Sequence, residues 1–540
     1  MFYFEMRVFM DNENEEFETH KKQKKGEKNI ILSLLKIIPA LFIFVIQIIF
    51  IILVYSSVKG MYAYISILFE IIRIIAVLIL LYRRDSPEYK ISWITFIMFL
   101  PVVGIIAFFL WGNSRLKKYI SKRFSKIHSV TKRTLNHSEE IENEILTMDR
   151  YKYNQIKYIK NITGYPVYEN QGVEYFKTGM DFFEAVKDDL KKAKKYIFIE
   201  FYIISSGNLL NEIVEILKAK AKEGVKITII ADAIGCMGRM PKNFINEMSQ
   251  IGIEVYKFNP FNFVISGYAN YRDHRKIIVV DGTVAYTGGV NIADEYVNLI
   301  EKYGYWKDVG IKIYGESVNS FVVMFLGFLE QITNKRIDIK EYINVGKEES
   351  NEKKIGKKSG YIMPFDDGPD NLKNPTENVY IQAFNYTKDY MYMTTPYFVI
   401  SQSVLDSILN SARSGVDVRI IVPYIPDKKL VNIATKSYYE VLLEAGVKIY
   451  EYGPGFIHAK SFVADDDISI VGTANLDFRS MHLNFECTIL TYNTGEEMKI
   501  KEDFESMLKD CKEIKLDEWR KRSIFTKLME AFMTAFSPMI

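Results

Sequence analysis

The residues best suited to chemistry come in two matched sets. The first lies in "NYRDHRKIIVVDGTVAYTGGVNIADEY" and carries His274, Lys276, Asp281, Gly288 and Asn291. The second lies in "GFIHAKSFVADDDISIVGTANLDFRS" and carries His458, Lys460, Asp465, Gly472 and Asn475 at the same intervals. Each His stands two positions before its Lys in a strand-like run, so both side chains point to one face. A neutral imidazole can attack phosphorus and hold the transferred group as a phosphohistidine, which divides one difficult displacement into two. A second, protonated imidazole can supply the departing alkoxide with a proton and later take one from the incoming hydroxyl. The two lysines, with the amides of Asn291 and Asn475, can hold the non-bridging oxygens as charge rearranges. A phosphodiester is therefore the expected substrate, and the chemistry requires no metal and no other cofactor. A lone His on a strand is usually structural, but two of the six His in this chain occupy equivalent places in a repeat. The matched Lys, Asp, Gly and Asn weigh further against the structural reading.

Chemistry drawn from two copies needs a duplicated scaffold, and the chain has one. "KKYIFIEFYIIS", a helical "LLNEIVEILKAKAKEGVKITIIAD" and "GIEVYKFNP" lead to the first motif. "KDYMYMTTPYFVIS", "VLDSILNSARSGVDVRIIVPYI" and "GVKIYEYGPG" lead to the second. Strand, helix, Gly turn and strand recur in the same order, which predicts two α/β units. Pseudo-twofold packing of such units brings both histidines into one cleft. The first unit is expected over 151–345 with its motif at 269–296, and the second over 361–540 with its motif at 453–480. The charged segment between them, 346–360, lacks apolar periodicity and reads as a linker.

The 540 residues carry a net charge of +3, too small for a dedicated nucleic-acid groove. Cys236, Cys487 and Cys511 stand singly, so neither a zinc site nor a disulfide framework is indicated. The front end is apolar instead. After a polar leader (1–29) comes a segment, 30–112, with expected membrane spans at about 30–56, 61–82 and 91–111, each close to the ~20 residues that a crossing helix needs. Glu70 and Arg73 sit one turn apart in the second and can pair; the third contains Pro101 and Gly104. A basic linker follows over 113–150. "KKQKK" and Arg83–Arg84 favour the cytoplasmic side, while the basic "RLKKYISKR" after the third run points the same way. Either that last basic run therefore contacts headgroups on the far face, or the charged second segment does not fully cross.

The paired His-x-Lys-x4-Asp motifs, each trailed by Gly-x-x-Asn, resemble the phospholipase D superfamily, and "TTPYF", "GTANLDFRSMHLNFE" and the terminal "FSPMI" resemble the bacterial cardiolipin synthases within it. "DSPEYKISWITFIMFLPVVGIIAFFLWGN" is similar to that family's N-terminal membrane module. The resemblance implies a duplicated phospholipase D-like α/β fold behind a transmembrane helical module, in a multi-pass protein of the cell membrane. It implies transfer of a phosphatidyl group between two phosphatidylglycerol molecules, giving cardiolipin and glycerol, with no nucleic-acid partner. The alternative on the same fold is hydrolysis to phosphatidic acid, and a non-catalytic membrane scaffold is the alternative of another class. The resemblance assigns His274 as nucleophile and His458 as general acid and base. An acidic residue orients each imidazole in the family, which implies Glu486 for His458; Lys302 occupies the matching interval in the first copy, so Asp308 is assigned to His274. Asp281 and Asp465 belong to the catalytic motif, although each sits a strand length beyond its His and suits fixing loop and Lys geometry better than proton exchange. Arg272 and Arg479 are expected near the headgroup pocket.

Overall fold

The computed structural model describes residues 61–83, 85–112, 134–260, 270–343, 359–371 and 373–536. The polar leader, the expected span at 30–56 and nearly all of the linker at 346–360 lie outside the described residues. Among the described residues one compact unit holds 61–83 and 100–105, and another holds 85–99 and 106–536.

In the smaller unit Met61–Tyr82 is a single helix of 22 residues, and Arg73 pairs with Glu70 one turn away. Counting only described residues, no helix is long and apolar enough to cross a membrane. The run at 91–111 does not form the one continuous helix expected of it. It belongs to two shorter helices, Pro87–Phe99 and Pro101–Trp111, because Pro101 lacks an N–H and its ring clashes with the preceding turn. In the larger unit Pro87–Phe99 is tied to the α/β body. Glu88 accepts from the Gln402 N–H at 3.1 Å, Tyr89 stacks on Phe478 at 6.4 Å, and Phe99 meets Phe532 edge to face at 6.0 Å.

The larger unit is built on two sheets. The first half supplies β1 (Tyr168–Glu169), β2 (Val173–Phe176), β3 (Tyr196–Phe201), β4 (Lys226–Asp232), β5 (Glu254–Phe258), β6 (Arg272–Asp273), β7 (Lys276–Val280), β8 (Val284–Gly288), β9 (Tyr305–Lys307) and β10 (Gly310–Tyr314). The second half supplies β11 (Tyr361–Asp367), β12 (Tyr390–Thr394), β13 (Phe398–Val399), β14 (Asp417–Pro423), β15 (Lys448–Tyr452), β16 (Gly455–Ile457), β17 (Ser461–Ala464), β18 (Ile468–Gly472), β19 (Leu476–Asp477), β20 (Asn484–Tyr492) and β21 (Cys511–Glu513). One sheet runs β2-β10-β8-β7-β3-β4-β5; the other runs β1-β11-β20-β18-β17-β12-β14-β15-β21. Matching β10-β8-β7-β3-β4-β5 with β20-β18-β17-β12-β14-β15 shows the duplication strand for strand. β3, β4 and β5 pair in parallel, as do β12, β14 and β15. β3 and β12 are buried along their whole length and β4 and β14 over most of theirs, as expected for a parallel sheet covered on both faces, while β5 buries only Phe258. The helix-to-strand turns repeat too: Gly224 and Gly415 have φ of +88° and +100°, a conformation that costs a side chain energy at both equivalent positions.

The halves interlock rather than abut. The Val318–Thr333 helix is buried on nearly every face and packs on β5, β7 and β8 as well as on β11 of the other sheet. Its counterpart, Glu496–Met507, packs on β12, β17 and β18 and on β2 of the first sheet. Each large apolar side chain enclosed here contributes roughly 1.5–3 kcal/mol. The front of the α/β region also crosses over. Glu139–Met148, inside the expected linker 113–150, is a helix capped by Ser138; Arg150–Thr163 packs on β11; and β1 joins the second sheet by pairing with β11.

Candidate active site

Two short interstrand contacts build the site. After β6 the chain reaches His274, and β6 pairs in parallel with the start of β20, Asp273 opposite Phe485. The His274 N–H donates to the Phe485 carbonyl at 2.9 Å, which sets His274 beside the next residue, Glu486. The same device recurs on the other side: β16 pairs in parallel with β9, Ile457 opposite Lys307, and the His458 N–H donates to the Lys307 carbonyl at 2.7 Å. That places His458 beside Asp308. Each imidazole is thus oriented by an acid from the opposite half. His274 Nδ1 lies 2.9 and 3.0 Å from the two Glu486 oxygens, and His458 Nδ1 lies 2.7 Å from Asp308 Oδ2. The assignment of Glu486 to His458 and Asp308 to His274 is corrected by this geometry: the acids are exchanged, because β20 pairs with β6 and β9 with β16, each across the two halves.

With both Nδ1 atoms engaged, the Nε2 atoms remain for substrate, and both histidines line one cavity of about 400 Å³. Asn291 and Asn475 line it as well. Asn291 Oδ1 accepts from the Ile203 N–H at 3.1 Å, and Asn475 Nδ2 donates to Asp477 at 3.1 Å. Tyr202 stands edge-on to His274 with ring centres 5.1 Å apart, and Tyr296 to His458 at 5.4 Å. Lys276 and Lys460 are buried behind the imidazoles, outside the cavity lining. Lys276 Nζ donates to the His274 carbonyl at 2.6 Å, and Lys460 donates to the His458 carbonyl.

Asp281 and Asp465, expected in the catalytic set, are placed elsewhere. Both occupy left-handed turn positions, with φ of +52° and +50°, at the far end of the strand from their His. Asp281 accepts from the backbone N–H groups of Lys194, Lys195 and Tyr196 at 2.7, 2.7 and 2.8 Å. Asp465 does the same for Lys388, Asp389 and Tyr390 at 2.7, 2.9 and 3.0 Å. They pin the entry of β3 and β12 against the motif strand, and neither touches its lysine.

The two acids differ electrostatically. Burial alone pushes Glu486 up, but His274, Lys276 and the Thr473 hydroxyl together hold it below the usual carboxylate range. Burial raises Asp308 to about 7, against the pull of Lys460. Burial lowers His274 to about 4; burial, then Lys460 and Lys276, push His458 well below its usual value. Burial also lowers Lys276 to about 8 and Lys460 to about 7. The packing accounts for the contrast between the acids. Glu486 accepts from Thr473 Oγ1 at 2.5 Å and Asn484 Nδ2 at 3.2 Å, while Asp308 has the Val309 N–H at 2.9 Å on its other oxygen. Where the second copy has Thr473 the first has Gly289, whose absent Cβ would lie 2.0 Å from Asp308 Oδ1. The shorter acid sits against glycine and the longer one is held by a hydroxyl. Thr473 and Asn484 escaped the sequence reading, although the Gly289/Thr473 mismatch was visible between "TGGVN" and "GTAN".

A duplicated α/β body with one His from each copy, each paired with an acid of the other copy over a shared cavity, defines a two-histidine phosphoryl- or phosphatidyl-transferring enzyme of the phospholipase D-like class. The family model described as "Cardiolipin synthase, PLD-like domain" matches 186–306 and 380–508, one match per half, and "Phospholipase_D-nuclease N-terminal" matches 71–113. An uncharacterized protein of Streptococcus mutans is 38% identical over 83% of this chain and 96% of its own length. Cardiolipin synthase 2 of Bacillus anthracis is 32% identical over 85% of this chain and 88% of its own length. The phosphatidylserine synthase of Haemophilus influenzae, a solved structure, shares the fold with a TM-score of 0.55 at 16% identity, covering 73% of this chain and 100% of that one. The chain belongs to the cardiolipin synthase family.

Proposed function

We propose that this chain is a phosphatidyltransferase that makes cardiolipin and glycerol from two molecules of phosphatidylglycerol. The observation that carries the mechanism is the unequal pairing of the histidines: a neutral His274 against an ionised Glu486, and His458 against an Asp308 raised to about 7. The first pair suits a nucleophile, since Glu486 keeps the proton on Nδ1 and leaves the Nε2 lone pair toward the cavity. The second holds a proton near neutrality and suits a general acid.

In the first half-reaction His274 Nε2 attacks phosphorus, the bond to the glycerol oxygen breaks, and the His458–Asp308 pair protonates that oxygen. The anionic phosphodiester favours the charged form of His458 as it enters. In the second, His458 takes the proton of the acceptor's primary hydroxyl, the new P–O bond forms and the P–N bond breaks. Lys276 and Lys460 supply positive potential from behind the imidazoles, and Asn291 and Asn475 offer amide donors that add no charge.

Anchoring in the cell membrane as a multi-pass protein belongs to the same proposal. The match at 71–113 supports it, and the third run is broken at Pro101. A substrate dissolved in the bilayer then meets the cleft at high local density. The division into halves at 151–345 and 361–540 is carried with it, with 139–169 docked on the second half. The test is incubation of the purified full chain with phosphatidylglycerol vesicles and product analysis by mass. Cardiolipin plus glycerol is expected; phosphatidic acid without cardiolipin would make the enzyme a hydrolase, and absence of turnover would remove the catalytic reading.

A further inference from the structure

A second cavity of about 560 Å³ adjoins the first and shares Tyr202, Arg272, Lys428 and Arg479 with it, while Lys429 and Leu430 complete its outer wall. Among the described residues no acidic side chain lines it. Arg272 is buried and fixed from behind, with Nε donating to the Tyr271 carbonyl at 2.7 Å and a terminal nitrogen to the Asn259 carbonyl at 3.1 Å. Arg479 is held by the Asn270 carbonyl at 2.8 Å and its Oδ1 at 3.0 Å. Lys428 lies over the Tyr397 ring at 4.7 Å. Asp232, at 3.4 Å from Arg272, balances one charge; Lys428, Lys429 and Arg479 form no ion pair among the described residues. The Lys429–Lys436 helix starts at this wall without a side-chain cap, so its first-turn N–H groups add potential of the same sign.

We propose that this vestibule holds the phosphodiester of the acceptor lipid, an inference that rests on the phosphatidyl-transfer reading above. In phosphatidylglycerol the reacting hydroxyl and the lipid's own phosphate are joined by a three-carbon bridge. When that hydroxyl reaches the phosphohistidine on His274, a second anion must be accommodated beside the first, and cations there remove the repulsion. The hydroxyl oxygen then bonds to phosphorus, the P–N bond breaks and the proton passes to His458. Water and free glycerol bring no second phosphate, so the vestibule selects a lipid acceptor over either.

The experiment uses the full-length protein in phosphatidylglycerol vesicles with deuterated glycerol added, comparing wild type with Arg479→Gln and with the Lys428→Gln/Lys429→Gln pair. Mass separates cardiolipin, formed on the lipid acceptor, from deuterated phosphatidylglycerol, formed on glycerol, and melting temperature verifies folding. The ratio of the first product to the second should fall about tenfold or more in each variant, the scale of losing a charge-assisted hydrogen bond. A constant ratio, whether both products drop together or neither drops, overturns the acceptor site. Wild type releasing phosphatidic acid without cardiolipin overturns the transfer reading instead.

Discussion

Replacing Glu486 by Gln and Asp308 by Asn should damage different half-steps. Glu486 is completely buried and accepts from three side chains, His274 at 2.9 and 3.0 Å, Thr473 at 2.5 Å and Asn484 at 3.2 Å. A Gln keeps the shape but has one acceptor oxygen for those donors. If its amide turns N–H toward Nδ1, the imidazole proton moves to Nε2, and the lone pair that attacks phosphorus is lost. The expected loss in kcat is roughly 10³–10⁴, the scale of inverting the tautomer of a catalytic His elsewhere. Asp308→Asn instead removes the stored proton, worth roughly 10²–10⁴ when the leaving group is poor. The assay compares phosphatidylglycerol, whose departing glycerol needs a proton, with the phosphatidyl ester of p-nitrophenol, whose leaving group does not. Asp308→Asn should lose about 10² or more on the first and less than about tenfold in the nitrophenol burst; Glu486→Gln should lose equally on both. The reverse pattern would assign the nucleophile to His458 and refute the role of the unequal acids, and losses under about tenfold everywhere would refute the orienting role altogether.

Other outcomes follow from the same geometry. Gly289→Ala places a Cβ 2.0 Å from Asp308 Oδ1, so it should displace the acid from His458 and cost about 10² in cardiolipin formation; a fully active variant counts against the packing account. Asp281→Asn keeps the left-handed turn but weakens three backbone hydrogen bonds, and should cost about 1–3 kcal/mol in denaturant unfolding with little change in kcat; a kcat collapse in a well-folded variant would return Asp281 to the chemistry. The acidic limb of nitrophenol release should lie near pH 4, since protonating His274 removes the attacking lone pair and its folded value is about 4. The alkaline limb of kcat/KM should fall between about 7 and 8 as Lys460 and Lys276 lose their charge. A limb near 6.5 on the acid side would mean that His274 is not shielded by burial as described.

The repeat, the succession of its elements along the chain and the meeting of His274 with His458 were legible in the sequence, because each rests on long periodic segments and on residues matched copy to copy. The pairing of acids was not. It depends on β6, two residues long, and β9, three residues long, which carry no periodicity of their own and find partners in the other half. Distance along the chain therefore misled where the fold exchanges strands. Asp281 and Asp465 share the motif but not the site, since a period of two fixes which face a side chain takes and not what receives it at a turn. Pro101 carried a legible signal of its own: tolerated in a membrane helix by composition alone, it here ends one helix and begins the next.

The exchange of acids between halves has a consequence for how the enzyme is made. His274 and Glu486 are 212 residues apart, and a chain is synthesised from its N-terminus, with early regions able to fold before later ones exist. The first half thus emerges with His274 lacking the carboxylate that pairs with its Nδ1, and with Asp308 facing no imidazole. The His274 pair exists only once β20 has been made and has docked against β6, and the His458 pair only once β16 has docked against β9. A truncated or half-folded chain therefore holds no assembled centre with which to cleave a phospholipid.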